Sequence, residues 1–229
     1  MEKLRVSVII PALNEQSLIA DAIRSAHDAG AAQVIVVDGG STDETTMVAG
    51  KQRATVLVTS PGRAIQQNAG AAVAEGDVLL FLHADCRLHP DAIHDLRRRL
   101  DAPANAVGGF FRQRIDSADR IFRVIEAGNL ARARLLKWAY GDQGIFVRTH
   151  AFRSLGGFPE LTLMEDLYFM KRLKRLGPLL AISTPITVSA RRWKQRGAIR
   201  QTLTNWSLIT AAHLGISPNR LARFYAKNR

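Results

Sequence analysis

The sequence predicts an α/β fold whose core is a doubly wound, mostly parallel sheet, followed by helices toward the C-terminus. Short uncharged aliphatic runs alternate with amphipathic segments between residues 6 and 85. The connections between these segments are short. The run Val78–Leu82 then stops abruptly at His83-Ala84-Asp85. Such βαβ alternation is typical of parallel sheets that are covered by helices on both faces.

The first half of the chain reads as four strands and three helices. We predict strands at residues 6–10, 34–37, 56–58 and 78–82, where β-branched and aliphatic residues cluster. Apolar residues recur at helical spacing from Leu18 to Ala26, and small residues indicate a helix over 64–74. Ser41 or Thr42 is expected to cap the helix between the second and third strands.

Three loops are expected to meet at one edge of this sheet. The right-handed crossover rule places the loops after strands one, two and four together. These loops are Pro11–Glu15, Asp38–Asp43 and His83–Asp85. In open α/β sheets, ligands bind in the crevice at this edge. The sequence therefore predicts a binding crevice with carboxylates on its rim.

The alternation weakens after Asp85. We predict helices at 90–100, 116–138, 167–176, 199–214 and 218–227, strands at 107–115 and 145–148, and a strand or irregular segment at 182–189. The long helix is expected to turn Ile121, Phe122, Ile125 and Leu130 inward. No internal repeat or linker interrupts the sequence, so we expect one domain over residues 1–229.

The charge is uneven along the chain. The net charge is +12; residues 1–96 carry a balance of −5 and residues 97–229 one of +17. Such asymmetry suggests a polyanionic partner, whether nucleic acid, anionic membrane or phosphorylated substrate, and the alternative is a solvated basic face. The single cysteine, Cys86, fits a reducing compartment, and the N-terminus enters a strand at once, so we expect a cytoplasmic protein without a signal peptide.

Four motifs carry a resemblance to a known family. The chain has neither the Gly-x-Gly-x-x-Gly nor the P-loop pattern of common nucleotide sites. However, Val8–Glu15, Val36–Asp43, Phe81–Asp85 and Met164–Asp166 resemble the ordered motifs of family 2 glycosyltransferases. The residues around Arg63 and the segment Ser189–Trp193 further resemble a small bacterial subgroup of that family. The resemblance implies the GT-A fold, a UDP- or GDP-linked sugar donor and a hydroxyl acceptor.

The resemblance also implies roles along the chain. Residues 1–96 would form the donor half and residues 97–229 the acceptor half. The donor would be bound by residues at the three loops and the third helix, namely Pro11, Ala12, Leu13, Glu15, Asp38, Arg63, His83 and Ala84. Asp38 would accept a hydrogen bond from the base, whereas the alternative is a turn former. Arg63 would reach the diphosphate, or else be a surface residue.

A divalent cation and a catalytic base complete the implied site. Asp85 would bind Mg²⁺ or Mn²⁺, and His83 replaces the first carboxylate of the family's Asp-x-Asp motif, which favours Mn²⁺. Asp166 would remove the acceptor proton in an inverting transfer; its alternative is dipole chemistry at a helix N-terminus. The acceptor or leaving-group side would include Asp142, Gln143, Glu165, Arg191, Arg192 and Trp193. For Trp193 a structural role is the alternative.

Several alternatives stay open from the sequence. A nucleic-acid-binding module would explain the basic half, but exposed aromatics are not interleaved with the charges, so we expect no nucleic-acid partner. A nucleotidyltransferase would need a triphosphate substrate. The acceptor is expected to be phosphorylated or lipid-linked. The helices over 199–227 would lie on the inner face of an anionic membrane, cover the core or form a homodimer face; this region includes Leu203, Trp206, Ile209, Arg220, Arg223 and Lys227.

Overall fold

A computed structural model describes residues 3–101, 105–136 and 139–213, together with residues 216, 218, 220 and 221. It shows one eight-stranded sheet in the order β3-β2-β1-β4-β7-β6-β8-β5. The strands are β1 Val6–Ala12, β2 Gln33–Asp38, β3 Thr55–Val58, β4 Val78–Phe81, β5 Cys86–Leu88, β6 Gly108–Asp116, β7 Ile145–Arg148 and β8 Leu179–Ser189. The helices are α1 Ile19–Asp28, α2 Thr45–Gly50, α3 Arg63–Ala72, α4 Ala92–Leu100, α5 Arg120–Leu136, α6 Thr149–Ser154, α7 Glu165–Leu176, α8 Arg191–Arg196 and α9 Ala198–His213.

The parallel half of the sheet confirms the predicted alternation. Strands β4, β1, β2 and β3 lie side by side and all run parallel. Strand β1 extends two residues beyond the predicted boundary, because Pro11 pairs with Val37 and Ala12 with Asp38. The Ile9 carbonyl accepts the Leu82 N–H on the β4 side. The backbone nitrogen of Pro11 faces the same side, where β4 has already ended. The lack of an N–H at Pro11 therefore removes no hydrogen bond from the sheet.

The second half is a mixed sheet, which makes the whole fold a mixed α/β fold. Strand β7 is antiparallel to both β4 and β6, while β6 and β8 run parallel with a register shift at Phe111/Arg112. The sequence did not predict β5 or α6, and β8 begins three residues before the predicted strand. These elements are short or lack regular apolar alternation, so they depend on their neighbours for pairing.

Two further predictions, the extent and inward face of the long helix and the cap of α2, were wrong in detail. The long helix begins at Arg120, and Ile121 is 42% exposed instead of inward; Trp138 lies outside the described residues. Neither Ser41 nor Thr42 caps α2, because the Asp43 carboxylate accepts the Thr45 N–H instead. The Arg191–Trp193 segment begins a short helix after β8. Most of the predicted helix over 218–227, with Arg223 and Lys227, also lies outside the described residues.

The core lies on both faces of the sheet. On one face the buried side chains of β1, such as Val8 and Ile10, pack with α1 and α4. On the other face Ile9 and Phe81 pack with α3, α6 and α7. Strand side chains alternate between the faces, so a strand buried on both sides is apolar at most positions. Among the described helices, we find none that combines the length and apolarity needed to cross a bilayer.

Candidate active site

A cleft opens beyond the carboxyl end of β4, between the 3₁₀ turn Gly141–Gln143 and the helices α5, α7, α8 and α9. Its empty space, including the part open to solvent, is about 1110 Å³. Polar groups predicted from distant parts of the chain line it together: Arg63, His83, Asp85, Asp142, Asp166 and Arg192. The cleft therefore brings the predicted metal ligand, the predicted base and two predicted phosphate-binding arginines into one space.

The Asp38 loop lies at the same sheet edge but does not line this cleft. The Asp38 carboxylate is buried and accepts hydrogen bonds from the Gly40 and Ser41 N–H groups and from the Ser41 hydroxyl. Asp38 thus forms the turn, as its alternative interpretation stated, and its contact with a base stays a prediction. The β1 loop joins it, since the Asn14 side chain accepts the Thr42 N–H at 2.9 Å.

The remaining donor-side predictions fall on the rim of the same edge. Ala84, within the His83–Asp85 loop, is buried, whereas the side chain of Leu13 is 46% exposed. Glu15 forms an ion pair with Arg191 at 2.8 Å, and this pair connects the β1 loop to the start of α8. Pro11 and Ala12 are strand residues in register with β2. The rim therefore has the exposed apolar side chain of Leu13 between residues whose polar contacts connect the β1 loop to the Asp38 turn and to α8.

His83, Asp85 and Cys86 form a candidate metal site. One ligand atom of each lies within 4.8 Å of the others. Burial is the main cause that lowers the pKa of His83 to about 3, with Arg63 and Arg192 acting in the same direction and Asp85 against it. The imidazole is therefore neutral and can offer a lone pair. Burial raises the pKa of the Cys86 thiol, which donates to Asp85 Oδ1 at 3.6 Å.

The ligand atoms of this site suit the divalent cation that the sequence implies. The His83 Nε2 atom is buried and has no hydrogen-bond partner among the described residues. A carboxylate together with a neutral imidazole suits Mn²⁺ better than Mg²⁺, which prefers oxygen ligands. The protonated Cys86 thiol is a poor ligand. His83 and Asp85 therefore fit a divalent ion, and Cys86 supports Asp85.

Asp166 is a buried carboxyl held by two backbone N–H groups. It lies at the start of α7, where its Oδ2 accepts the Gly141 N–H at 2.9 Å and its Oδ1 accepts the Leu167 N–H at 2.7 Å. Burial and then the neighbouring Glu165 raise the pKa of Asp166 to about 7, although both N–H groups oppose the shift. A base whose pKa lies near neutrality is well matched to proton removal at physiological pH.

Two arginines stand beside the acidic groups of the cleft. Arg63 begins α3 and pairs with the buried Glu165 at 3.2 Å. Arg192 approaches Asp85 at 3.8 Å from α8. Both guanidinium groups are partly exposed, at 39% and 40% of the side chain. Positive charge therefore lies beside Asp85 and beside Glu165, the residue that precedes Asp166.

The backbone before Asp166 is strained. Met164 precedes α7 with φ at 67°, in the left-handed region that side chains other than glycine rarely adopt. Such conformations cluster at functional sites, because the surrounding structure must hold them in place. Here the strained residue directly precedes Glu165 and Asp166, which form the first turn of α7.

On the far side of the cleft a polar network surrounds Asp142. Asp142 accepts a 2.6 Å hydrogen bond from Gln113, and burial raises the pKa of its carboxyl. Gln143 accepts from Arg132 at 3.3 Å, and the Arg132 guanidinium lies 4.4 Å from the centre of the Tyr140 ring. These contacts join β6, α5 and the 3₁₀ turn.

The sequence interpretation missed Gln113, Arg132 and Tyr140. Arg132 and Tyr140 line the cleft, and they would have been hard to find because neither belongs to a motif. A charged residue on a long amphipathic helix reads as solvated, which is the usual case. Only the packing of α5 against β6 turns Arg132 inward.

Trp193 packs in a core cluster and also lines the cleft. It is 7% exposed and meets Phe122 edge to face, with ring centres 6.2 Å apart. Its indole N–H is buried and has no hydrogen-bond partner among the described residues. The contact supports the structural alternative for Trp193, while its acceptor role stays a prediction.

Comparison with known proteins shows the family. The family described as "Glycosyl transferase family 2" matches residues 7–156. A curated relative, undecaprenyl-phosphate 4-deoxy-4-formamido-L-arabinose transferase of Salmonella typhimurium, is 30% identical over 161 residues. That match covers 64% of this chain and 48% of the relative, so the chain spans about half the length of the curated relatives it matches.

Solved structures show the same fold. Residues 1–349 of S. aureus TarS, in complex with UDP-GlcNAc, superpose with a TM-score of 0.67 at 19% identity, covering 81% of this chain and 58% of that one. Glucosyl-3-phosphoglycerate synthase from Mycobacterium tuberculosis, in complex with Mn²⁺, UDP and glucosyl-3-phosphoglycerate, gives a TM-score of 0.62 at 22% identity, covering 88% and 78%. Together they confirm the GT-A fold that the sequence predicted.

Proposed function

The chain belongs to glycosyl transferase family 2, and from this premise we propose that it transfers a sugar from a nucleotide-diphosphate donor to an acceptor in the cleft, with inversion at the anomeric carbon. The observation that carries the proposal is the placement of Asp85 and Asp166 in one cleft, with Arg192 beside Asp85 and the Arg63–Glu165 ion pair next to Asp166 in the chain. Asp85 is thereby available to hold a cation for the donor diphosphate, and Asp166 is available to accept the acceptor proton.

The donor would lie along the sheet edge with its diphosphate in the cleft. The rim formed by Pro11–Leu13 and the Asp38 turn would hold the nucleoside. Arg63 and Arg192 would hold the diphosphate by charge-assisted hydrogen bonds. Uridine is favoured, because the compared TarS and mycobacterial structures are described as complexes with UDP-GlcNAc and UDP.

His83 and Asp85 would hold a divalent cation, for which Mn²⁺ is the better candidate. When bound, the ion would neutralise negative charge on the departing diphosphate. Arg192 reaches the same position from α8 and would share that task. The two arginines would therefore contact the diphosphate directly, Asp85 would act on it only through the cation, and the neutral His83 would add no negative charge.

Asp166 would act as the general base. As the acceptor hydroxyl oxygen bonds to the anomeric carbon, the bond from that carbon to the diphosphate oxygen breaks, and the hydroxyl proton passes to the Asp166 carboxylate. The Gly141 and Leu167 N–H groups would orient this carboxylate. Glu165, which Arg63 neutralises, would tune the pKa of Asp166.

The acceptor is proposed to be a hydroxyl compound with an apolar portion and a phosphate group. Apolar side chains from α5, from α9 and from the segment before α7 line the cleft, including Ile125, Leu163, Trp206 and Ile209, and Arg132 of α5 lines it as well. The name of the curated relative, an undecaprenyl-phosphate transferase, also favours a lipid-linked acceptor. Such an enzyme would act in the cytoplasm at the inner membrane face. A homodimer stays a prediction.

The direct test is transfer by the purified protein. We expect UDP-sugars to raise the melting temperature in the presence of Mn²⁺, and UDP and a glycosylated product to accumulate in equal amounts when a polyprenol-type acceptor is added. Asp28→Asn, an exposed substitution away from the cleft, is the control and should leave turnover unchanged. Stabilisation by nucleoside triphosphates with release of pyrophosphate would instead indicate a nucleotidyltransferase.

Replacement of Asp166 would also distinguish a hydroxyl acceptor from a phosphate acceptor. A hydroxyl needs a base, whereas a phosphate oxygen is already ionised at neutral pH, because its second pKa is about 6. Asp166→Asn should therefore abolish transfer to a hydroxyl. The same variant should still transfer to the phosphate oxygen of polyprenyl phosphate, because that oxygen needs no base. Retained transfer to a hydroxyl would overturn the base role.

A further inference from the structure

An apolar surface runs across helices α5 and α9 and reaches the mouth of the cleft. On α9, Ile199, Leu203 and Trp206 recur at helical spacing and are 66%, 60% and 50% exposed. On α5, Val124 and Leu135 are 69% and 79% exposed. Side chains of this size are normally buried, so a contiguous exposed group of them marks an interaction site.

The two stripes form one surface, which we call the α5/α9 face. Gly128 lies one and two turns from Val124 and Leu135 on α5, on the same side of the helix. The indole of Trp206 is 3.8 Å from the position that a Cβ would take at Gly128. Trp206 also lines the cleft. The apolar surface is therefore continuous with the entrance of the candidate active site.

The charge around the α5/α9 face is strongly positive. Helices α5, α8 and α9 carry nine Lys or Arg residues and one acidic residue, Glu126. Glu126 is already neutralised by Arg123 at 3.0 Å. Arg120 and Arg134, both exposed, stand at the two ends of the α5 stripe, and Arg200 flanks the α9 stripe. An apolar centre with a basic rim is the pattern of a surface that lies on an anionic bilayer.

We propose that the α5/α9 face docks on an anionic lipid surface, with Ile199, Leu203, Trp206 and Val124 inserted among the acyl chains and the arginines at the headgroups. A second copy of the chain is a poorer occupant, because a symmetric interface would set two positive faces against each other. The docking would hold the cleft entrance at the membrane, where Trp206 would meet an acceptor that arrives from the lipid phase.

Vesicle flotation tests the docking without donor or acceptor, so its result is independent of the proposed transfer. The full chain should float with vesicles of phosphatidylcholine and phosphatidylglycerol, but not with phosphatidylcholine alone. High salt should weaken the binding, because it screens the arginines. Val124→Ser and Leu203→Ser should each lower the partition coefficient by about 10-fold, since each withdraws several apolar carbons from the membrane.

A matched control is available on the other side of the molecule. Val58 on β3 is as exposed as Val124, at 69%, and lies far along the sheet from α5 and α9. Val58→Ser should leave flotation unchanged, as should Arg153→Gln on α6. Arg120→Gln, which keeps the helix and removes only charge, should lower binding to anionic vesicles by about 5-fold. Circular dichroism of each variant checks folding.

Three outcomes would overturn the proposal. The first is an absence of flotation with anionic vesicles. The second is an equal loss of binding in Val58→Ser and Val124→Ser. The third is a dimer in light scattering that Val124→Ser and Leu203→Ser dissociate while neither changes vesicle binding, which would assign the face to a second copy of the chain.

Discussion

Replacement of Asp166 by asparagine should stabilise the protein at alkaline pH while it removes the activity. A carboxyl whose pKa is higher in the folded state than in the unfolded chain binds more protons when folded. The free energy of unfolding therefore falls as the pH rises from the unfolded pKa through the folded pKa. For Asp166 this interval runs from 3.8 to about 7. An asparagine side chain cannot ionise, so the variant lacks this loss.

The size of the effect follows from the two pKa values. Between about pH 5 and pH 8, the wild-type protein should lose about 2 to 3 kcal/mol relative to the variant. For a chain of this size, that corresponds to a difference of about 5 to 10 °C in melting temperature. At low pH the variant should be the less stable protein. Asp166 accepts hydrogen bonds from two backbone N–H groups, and in the variant one of these groups would meet the side-chain N–H₂ and lose its acceptor.

Urea unfolding and calorimetry at several pH values measure this difference. The rate of transfer by the wild-type protein should meanwhile rise with pH through about 7, and asparagine should lower it by about 10²- to 10⁴-fold. The control Asp28→Asn should follow the wild-type pH dependence. Parallel stability profiles for Asp166→Asn and wild type would refute the raised pKa, and retained transfer to a hydroxyl acceptor would refute the base.

The other predictions concern the metal site, the cleft wall and the acceptor side. Asp85→Asn should lower Mn²⁺-dependent transfer by about 10²-fold or more and abolish the Mn²⁺-induced rise in melting temperature, because one strong oxygen ligand is lost; an unchanged metal response would contradict this site. Gly141→Ala should destabilise the fold by about 2 kcal/mol and weaken metal binding, since its Cβ would lie 2.1 Å from His83 Nε2. Gly50→Ala, where no atom lies within 4 Å, should be neutral or stabilising by about 0.5 kcal/mol, and an equal loss in both variants would argue against the clash. Arg132→Gln should raise the KM for a phosphorylated acceptor by about 10-fold without changing donor affinity, measured by titration with UDP, whereas a matching loss of donor affinity would reject its acceptor role.

The sequence alone determined the parallel half of the fold and the positions of the main carboxylates. Buried parallel strands are apolar at most positions, so β1, β2 and β4 stand out from the chain, and the crossover rule places their loops at one edge. Motifs in a set order then identified Asp85 and Asp166. Local patterns suffice here because backbone pairing and burial act on consecutive residues.

Only the tertiary structure decided which groups face each other across the cleft. Arg132 enters it through the packing of α5 against β6, and Tyr140 enters it from the start of the 3₁₀ turn. The exposed apolar stripe of α9 follows from how that helix lies against α5. Likewise, the raised pKa of Asp166 depends on burial and on Glu165. The Asp38 carboxylate accepts hydrogen bonds from N–H groups of the turn that follows it. Burial and the contacts between residues distant in sequence arise when the chain folds, and no local pattern of residue types specifies them.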